Sequence, residues 1–490
     1  MRLILPTLAL IFWSISGSAD HHAEASKISA NNLSDIVKVM ASDEFEGRAP
    51  GTVGEDKTVA YLIAQMKKIG LTPGGTEGSW TQAVPMMRSE VKPSAKMSFS
   101  SVDRVLTLAQ GTSVSVDTAT ARTSIVATDV PVVFVGFGAN APEQDWDDYG
   151  GIDLTGKLAI YLVNDPDFAA EPQEAVAGRF GNRRMTYYGR WTYKFEEAAR
   201  RGAFGALVIH ETEAAGYDWS VAAAGAGENV SLANKDPQAL PVTLQGWLHN
   251  DAARELLAAA GHDLDALRNT ARQPEFQAFE LEGMLFEADL EVDITTFDSQ
   301  NVLGLLPGNE RPEEVIMASA HWDAYGIGAP DEQGRTVRAG ANDDALGSAG
   351  ILELARVIKA QPAMARSVVF AFWTAEEAGL VGSMAYAADP IFPIEKTVAN
   401  FTVDILQTAG AAKDVILVGK GQSELEDSLA RVAEAAGRYV TEENLPENGL
   451  FYRADHFSMA RVGVPVVLMM GIAGGADLAV GGREAGNQWI

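Results

Sequence analysis

A mostly parallel α/β sheet flanked by helices, with a β-rich insert, is predicted by three features of the 490-residue sequence. From Ser299 onward, apolar strand-like runs alternate with helical stretches, the pattern of a parallel sheet covered by helices. Between about 126 and 290 the texture shifts to short β-rich runs, which suits a compact unit inserted into a larger domain. Third, acidic residues and a histidine fall at the ends of the apolar runs rather than within them.

The elements follow in order. Met1 and Arg2 precede an apolar run from Leu3 to Ile15 and then Ser16-Gly17-Ser18-Ala19, the layout of a cleavable signal peptide over 1–19. The run is too short for a comfortable membrane span. A first half of the main domain is expected over 20–125, with helix around Ser34 to Met40. A second helix runs from Val53 to Ile69, where Val59, Leu62, Ile63, Met66 and Ile69 recur at helical spacing and Gly70 stops it. The insert, 126–290, contains "PVVFVGFG", "KLAIYLV", "GALVIH" and the helical "AARELLAAAG". Its Tyr187, Tyr188, Trp191 and Tyr193 read as packing residues. The last part, 291–490, carries "EVIMASAH", a helix from Ala345 to Ala360, "SVVFAFWTAEE", "TVANFTVDI", "DVILVG", a helix from Ser423 to Gly437, and "VPVVLMM".

Composition narrows the function. Sixty-six acidic against thirty-eight basic residues leave a net charge of −28, which repels nucleic acid and anionic lipid surfaces. With no cysteine, the chain has neither a disulfide nor a thiolate to act as nucleophile or metal ligand. No Gly-x-Ser-x-Gly and no phosphate-binding glycine loop occurs.

What remains is a cluster of oxygen and nitrogen ligands. His321 and Asp323 close one apolar run, Glu376 and Glu377 a second, and Asp404 a third, while Asp343 and Asp344 open a helix in "AGANDDALGSAG". In a parallel sheet such strand ends meet at one edge, where ligands bind. One imidazole with several carboxylates suits zinc first, with manganese or cobalt as other occupants. Two neighbouring ions bridged by a carboxylate would polarise a carbonyl and activate water. Glu376 and Glu377 are placed to divide the roles of proton acceptor and ligand.

The motifs "SAHWDAYG", "GANDDALGSAGILELAR", "FAFWTAEEAGLVGS" and "NFTVDI" resemble the four metal-site motifs of the dizinc aminopeptidase family, which also contains glutamate carboxypeptidase II, glutaminyl cyclase and the transferrin receptor. "SDEFEGRAPGT" and "YYGRWTYKFEEAARRGAFGALVIHE" are similar to members with an inserted protease-associated domain. The resemblance implies a zinc exopeptidase fold and an exported zinc aminopeptidase acting on peptides with a free N-terminus. It further implies that His321 and Asp404 hold one zinc, Glu377 the other, and Asp343 bridges them. Glu376 would be the general base and Asp323 the carboxylate that orients His321. The Asp343–Asp344 bond is expected to be cis.

The same pattern calls for a second histidine on the Glu377 ion, beyond the Asp455-His456 element. His456 is the last histidine, so the sequence is expected to stop short of the family's C-terminal segment. That leaves two alternatives open, a binding protein with an impaired metal site and a glutaminyl-cyclase-like acyltransferase. A carboxypeptidase would need a cationic pocket, for which Arg338 and Arg453 are the candidates.

Overall fold

The computed structural model describes residues 28–233 and 241–490. The expected signal peptide therefore lies outside the described residues.

Two helices come first, α1 (Ala30–Met40) and α2 (Val53–Ile69). Thr52 caps α2 by accepting the Gly54 N–H, and Gly70 ends it in the left-handed conformation. Strand β1 (Thr81–Val91) follows, then β2 (Ser124–Gly136), β3 (Leu158–Leu162), helix α3 (Trp191–Arg200), β4 (Gly205–Ile209) and β5 (Leu244–Leu248). The 28-residue β6 (Phe279–Leu306) leads to β7 (Arg311–His321), helix α4 (Leu346–Lys359), β8 (Arg366–Trp373) and β9 (Thr397–Asp404). Short helix α5 (His456–Arg461) and β10 (Val466–Met470) complete the core.

One sheet has the neighbours β1, β6, β8, β7, β9 and β10 in that order. Its centre, β8 to β10, is parallel, and β1 and β6 extend it in antiparallel fashion. The central strands are buried on both faces, which explains their unbroken apolar runs. In β8, Val368, Phe370 and Phe372 pack with Leu62 and Met66 of α2 and with Ile351 and Leu352 of α4. Val369, Ala371 and Trp373 point the other way, towards Tyr386, Met459 and Leu468.

A second sheet is built on β5, β4, β3 and β2, all parallel, with β2 antiparallel to the first half of β6. Strand β6 thus belongs to both sheets, pairing with β2 through Phe279–Glu291 and with β1 through Val292–Val302. Between the sheets, the Met185 N–H donates to the Pro446 carbonyl at 3.1 Å, Arg461 pairs with Glu196 at 2.9 Å, and Tyr187 packs on Phe457. Among the described residues no helix is long and apolar enough to cross a membrane.

Candidate metal centre

Strands β8, β7 and β9 lie side by side and parallel, so their carboxyl ends share one edge of the sheet. His321 is the last residue of β7, opposite Trp373, the last of β8. Beyond Trp373 the chain turns through Ala375, at φ 50°, to present Glu376 and Glu377. Asp404 ends β9, and Ile405 after it has φ 38°. Left-handed backbone at non-glycine residues is uncommon and concentrates at functional sites.

Asp343 reaches the same edge from the loop before α4. Gly340 has φ +52°, and a Cβ there would collide with the Asp343 carbonyl and the Arg48 guanidinium. Gly347 gives Asp344 room, because its N–H donates to Asp344 Oδ1 at 2.9 Å where any Cβ would strike that carboxylate. These contacts account for the glycines of "GANDDALGSAG". The Asp343–Asp344 peptide bond is cis.

His321, Asp343 and Asp404 each offer a ligand atom, and these atoms lie within 4.8 Å of one another. His321 Nε2 is 2.9 Å from Asp343 Oδ1 and 3.9 Å from Glu376 Oε2. Its Nδ1 faces Asp323 Oδ1 at 3.4 Å. Nε2 is therefore the nitrogen turned towards an ion, and Asp323 stands behind the ring where it would fix the tautomer. Asp323 also accepts the backbone N–H groups of Glu376 and Glu377, at 3.1 and 3.3 Å. One buried carboxylate thus ties the β7 end to the β8 end.

The electrostatics ask for cations. Burial pushes Asp404 and Asp455 up to about 7, and burial with the charge of Asp343 pushes Glu377 up to about 8. Burial also holds Glu376 and Asp344 well above the carboxylate range. At His321 burial opposes protonation, yet Glu376, Asp323 and Asp343 outweigh it and raise its pKa. Glu377 Oε1, Asp344 Oδ2 and Asp455 Oδ1 are buried without a hydrogen-bond partner. Orphaned buried carboxylate oxygens around one imidazole fit a divalent cation and match the zinc expected from the donor set.

His456 is fully buried, its ring 4.8 Å from that of Phe451, and burial lowers its pKa to about 3. It stays neutral and lies outside the ligand group of His321, Asp343 and Asp404. Arg338 spends its guanidinium within its own hairpin, donating to the carbonyls of Ala329 and Arg335 at 2.6 and 3.2 Å. The tyrosines of the insert pack on one another, with Tyr193 at 5.6 Å from Tyr187 and 5.1 Å from Tyr188. A cleft of about 760 Å³, lined by Asp43, Asp331, Arg335, Val337, Arg338 and Gly340, reaches the backbone just before the Asp343 loop.

Arg48 is the participant that sequence reasoning passed over. It is fully buried and donates to the carbonyls of Trp322, Met40, Ala339 and Gly340 at 2.7–2.8 Å. Two of those carbonyls immediately precede the Asp343 loop, and Trp322 lies between His321 and Asp323. Burial lowers the Arg48 pKa, while Asp323, Asp344, Asp343 and Glu377 hold it up. Its signal in the sequence is a lone cation in the small-residue loop "GRAPG".

Comparison with known proteins agrees with this geometry. The model of peptidase family M28 matches residues 301–485, which hold every candidate ligand. Mouse aminopeptidase NAALADL1 is 32% identical over 180 residues, covering 34% of this chain and 22% of that protein. Aminopeptidase YwaD of Bacillus subtilis is 31% identical over 127 residues, 25% of each chain. The chain thus spans about a quarter of the length of these relatives. The solved aminopeptidase from Aneurinibacillus sp. strain AM-1 shares the fold, with a TM-score of 0.50 at 20% identity over 92% of this chain and 87% of that one. Through its residues 301–485, the chain belongs to peptidase family M28.

Proposed function

We propose that the protein is a zinc-dependent aminopeptidase that removes the N-terminal residue of peptides. The observation that carries the reading is the convergence of His321, Asp343 and Asp404 at one sheet edge with Glu376 beside them. His321 and Asp404 hold one ion, Glu377 a second, and Asp343 bridges the pair. Zinc, when bound, supplies Lewis acidity to the scissile carbonyl and to the attacking water. Glu376 accepts the proton of that water on its carboxylate and passes it to the departing amine nitrogen. Asp323 keeps the proton of His321 on Nδ1 and so leaves Nε2 free as a ligand. The carboxylates beyond the ligand set give the free α-ammonium of the substrate a negative environment.

The leader layout of 1–19 supports export, and the β-rich stretch 126–290 is proposed as a protease-associated insert. The net charge of −28 favours peptides over nucleic acid or anionic membranes as partners.

Metal analysis with a kinetic assay tests the reading. The purified chain is expected to hold about two zinc ions, to release the chromophore from leucyl p-nitroanilide, to lose that activity to a chelator and to regain it with zinc. A zinc-loaded protein inactive on aminoacyl substrates at every pH would refute it. Asp323→Asn is expected to weaken zinc binding about 10–100-fold in chelator competition. An unchanged affinity would remove Asp323 from its orienting role.

A further inference from the structure

Three cations of the chain are deeply buried and can be compared. Arg48 satisfies four carbonyls, and Lys194 donates to the carbonyls of Phe137, Asn164 and Tyr188. Arg190, only 6% exposed, is different. Its Nε is buried without a partner, and among the described residues its guanidinium makes no hydrogen bond or ion pair. A buried guanidinium left in this state costs several kcal/mol, roughly the penalty of an unpaired interior charge.

Arg190 starts α3, in the segment that docks on the main sheet's 446–461 region. Its guanidinium lies 5.7 Å from the ring of Trp191, and Tyr217, Tyr187 and Tyr452 surround it closely enough to act on its charge. Across the seam stands Arg453, exposed, 5.9 Å from the ring of Tyr217 and likewise without an ion pair or side-chain hydrogen bond among the described residues. Arg453 leads directly to Asp455 and α5, and its charge is felt at Asp404. Burial, followed by the like charge of Arg453, pushes Arg190 down to about 10.

Two unpaired arginines side by side are conspicuous in a chain with sixty-six carboxylates to offer them. We propose that Arg190 and Arg453 form a carboxylate-binding subsite on the leaving side of the scissile bond, which directs the enzyme to short peptides carrying a carboxylate just beyond the residue removed. Guanidinium groups bind carboxylates through paired, charge-assisted hydrogen bonds, and aromatic walls keep water from competing. The ligand supplies the counter-charge that the fold withholds. This inference rests on the aminopeptidase reading and deepens it.

The test uses the zinc-loaded full chain and four peptides. Leu-Gly is compared with Leu-Gly-NH2, which differ in the terminal carboxylate, and Leu-Glu-NH2 with Leu-Gln-NH2, which differ in a side-chain carboxylate. The wild type is expected to favour the carboxylate-bearing member of at least one pair by about tenfold or more in kcat/KM. The pair that discriminates identifies whether the carboxylate is terminal or on a side chain. Arg453→Gln, at an exposed position, and Arg190→Gln are each expected to bring that ratio close to one. Absence of preference in both pairs, or a ratio that survives Arg453→Gln, overturns the subsite while leaving the peptidase standing. Failure to hydrolyse any of the four, or leucyl p-nitroanilide, refutes the peptidase itself and the subsite with it.

Discussion

Glu376→Gln is expected to keep its zinc and to lose about 10²–10⁴-fold in kcat. The amide has the shape of the carboxylate but cannot take a proton from the attacking water. The supports of the site remain, because Asp323 holds residue 376 through its backbone N–H and not through the side chain. Glu376 Oε2 is 3.9 Å from His321 Nε2, close enough to share a water and too far to be bonded to the ring. Glu377→Gln serves as the control, since loss of a ligand should lower the zinc content together with turnover. If Glu376→Gln lost zinc to the same extent, the division of roles between the adjacent glutamates would be reversed.

Arg48→Met should destabilise the protein by about 3–5 kcal/mol and release zinc. The substitution strips the donors from four carbonyls, those of Met40, Trp322, Ala339 and Gly340, in a place water does not reach. It also leaves Asp323, Asp344, Asp343 and Glu377 without the one cation that offsets their crowding. Arg48→Lys is not expected to rescue, because a point ammonium with three donors cannot span four carbonyls held in a fork. Thermal unfolding and zinc content measured on both variants check this. A methionine variant with wild-type stability and full zinc would show that the clamp is dispensable.

The contrast between Glu376 and Arg48 indicates what was legible in the sequence. His321, Glu376 and Asp404 end apolar runs, and a parallel sheet brings run ends to a common edge, so their meeting follows from topology. Helices were readable where spacing and caps agreed, as at Val53–Ile69 with Gly70, which the structure reproduces to the residue. The α4 helix, Leu346–Lys359, falls within one residue of the expected bounds. Arg48 is another matter, since its bonds join residues more than 270 positions apart and no local pattern encodes which carbonyls will be left for it. The same holds for Arg190 and Arg453, whose significance is the absence of a partner, a property of packing. Arg338 illustrates the reverse, a cation attractive in the sequence that its own hairpin consumes.

Strand β6 joins both sheets without a break, and this shapes how the chain acquires its structure. Its last residues pair with Thr72 and Pro73, some 230 positions earlier, and its middle pairs with the whole of β1. Closing loops of that length precedes the contacts that reward it, so folding is slow by the standard of proteins with local pairing. Neither sheet has all its strands until Phe279–Leu306 has left the ribosome, and until then β1 and β2 are strands with open edges. The nascent protein therefore passes through a long stage in which it depends on being shielded from its neighbours.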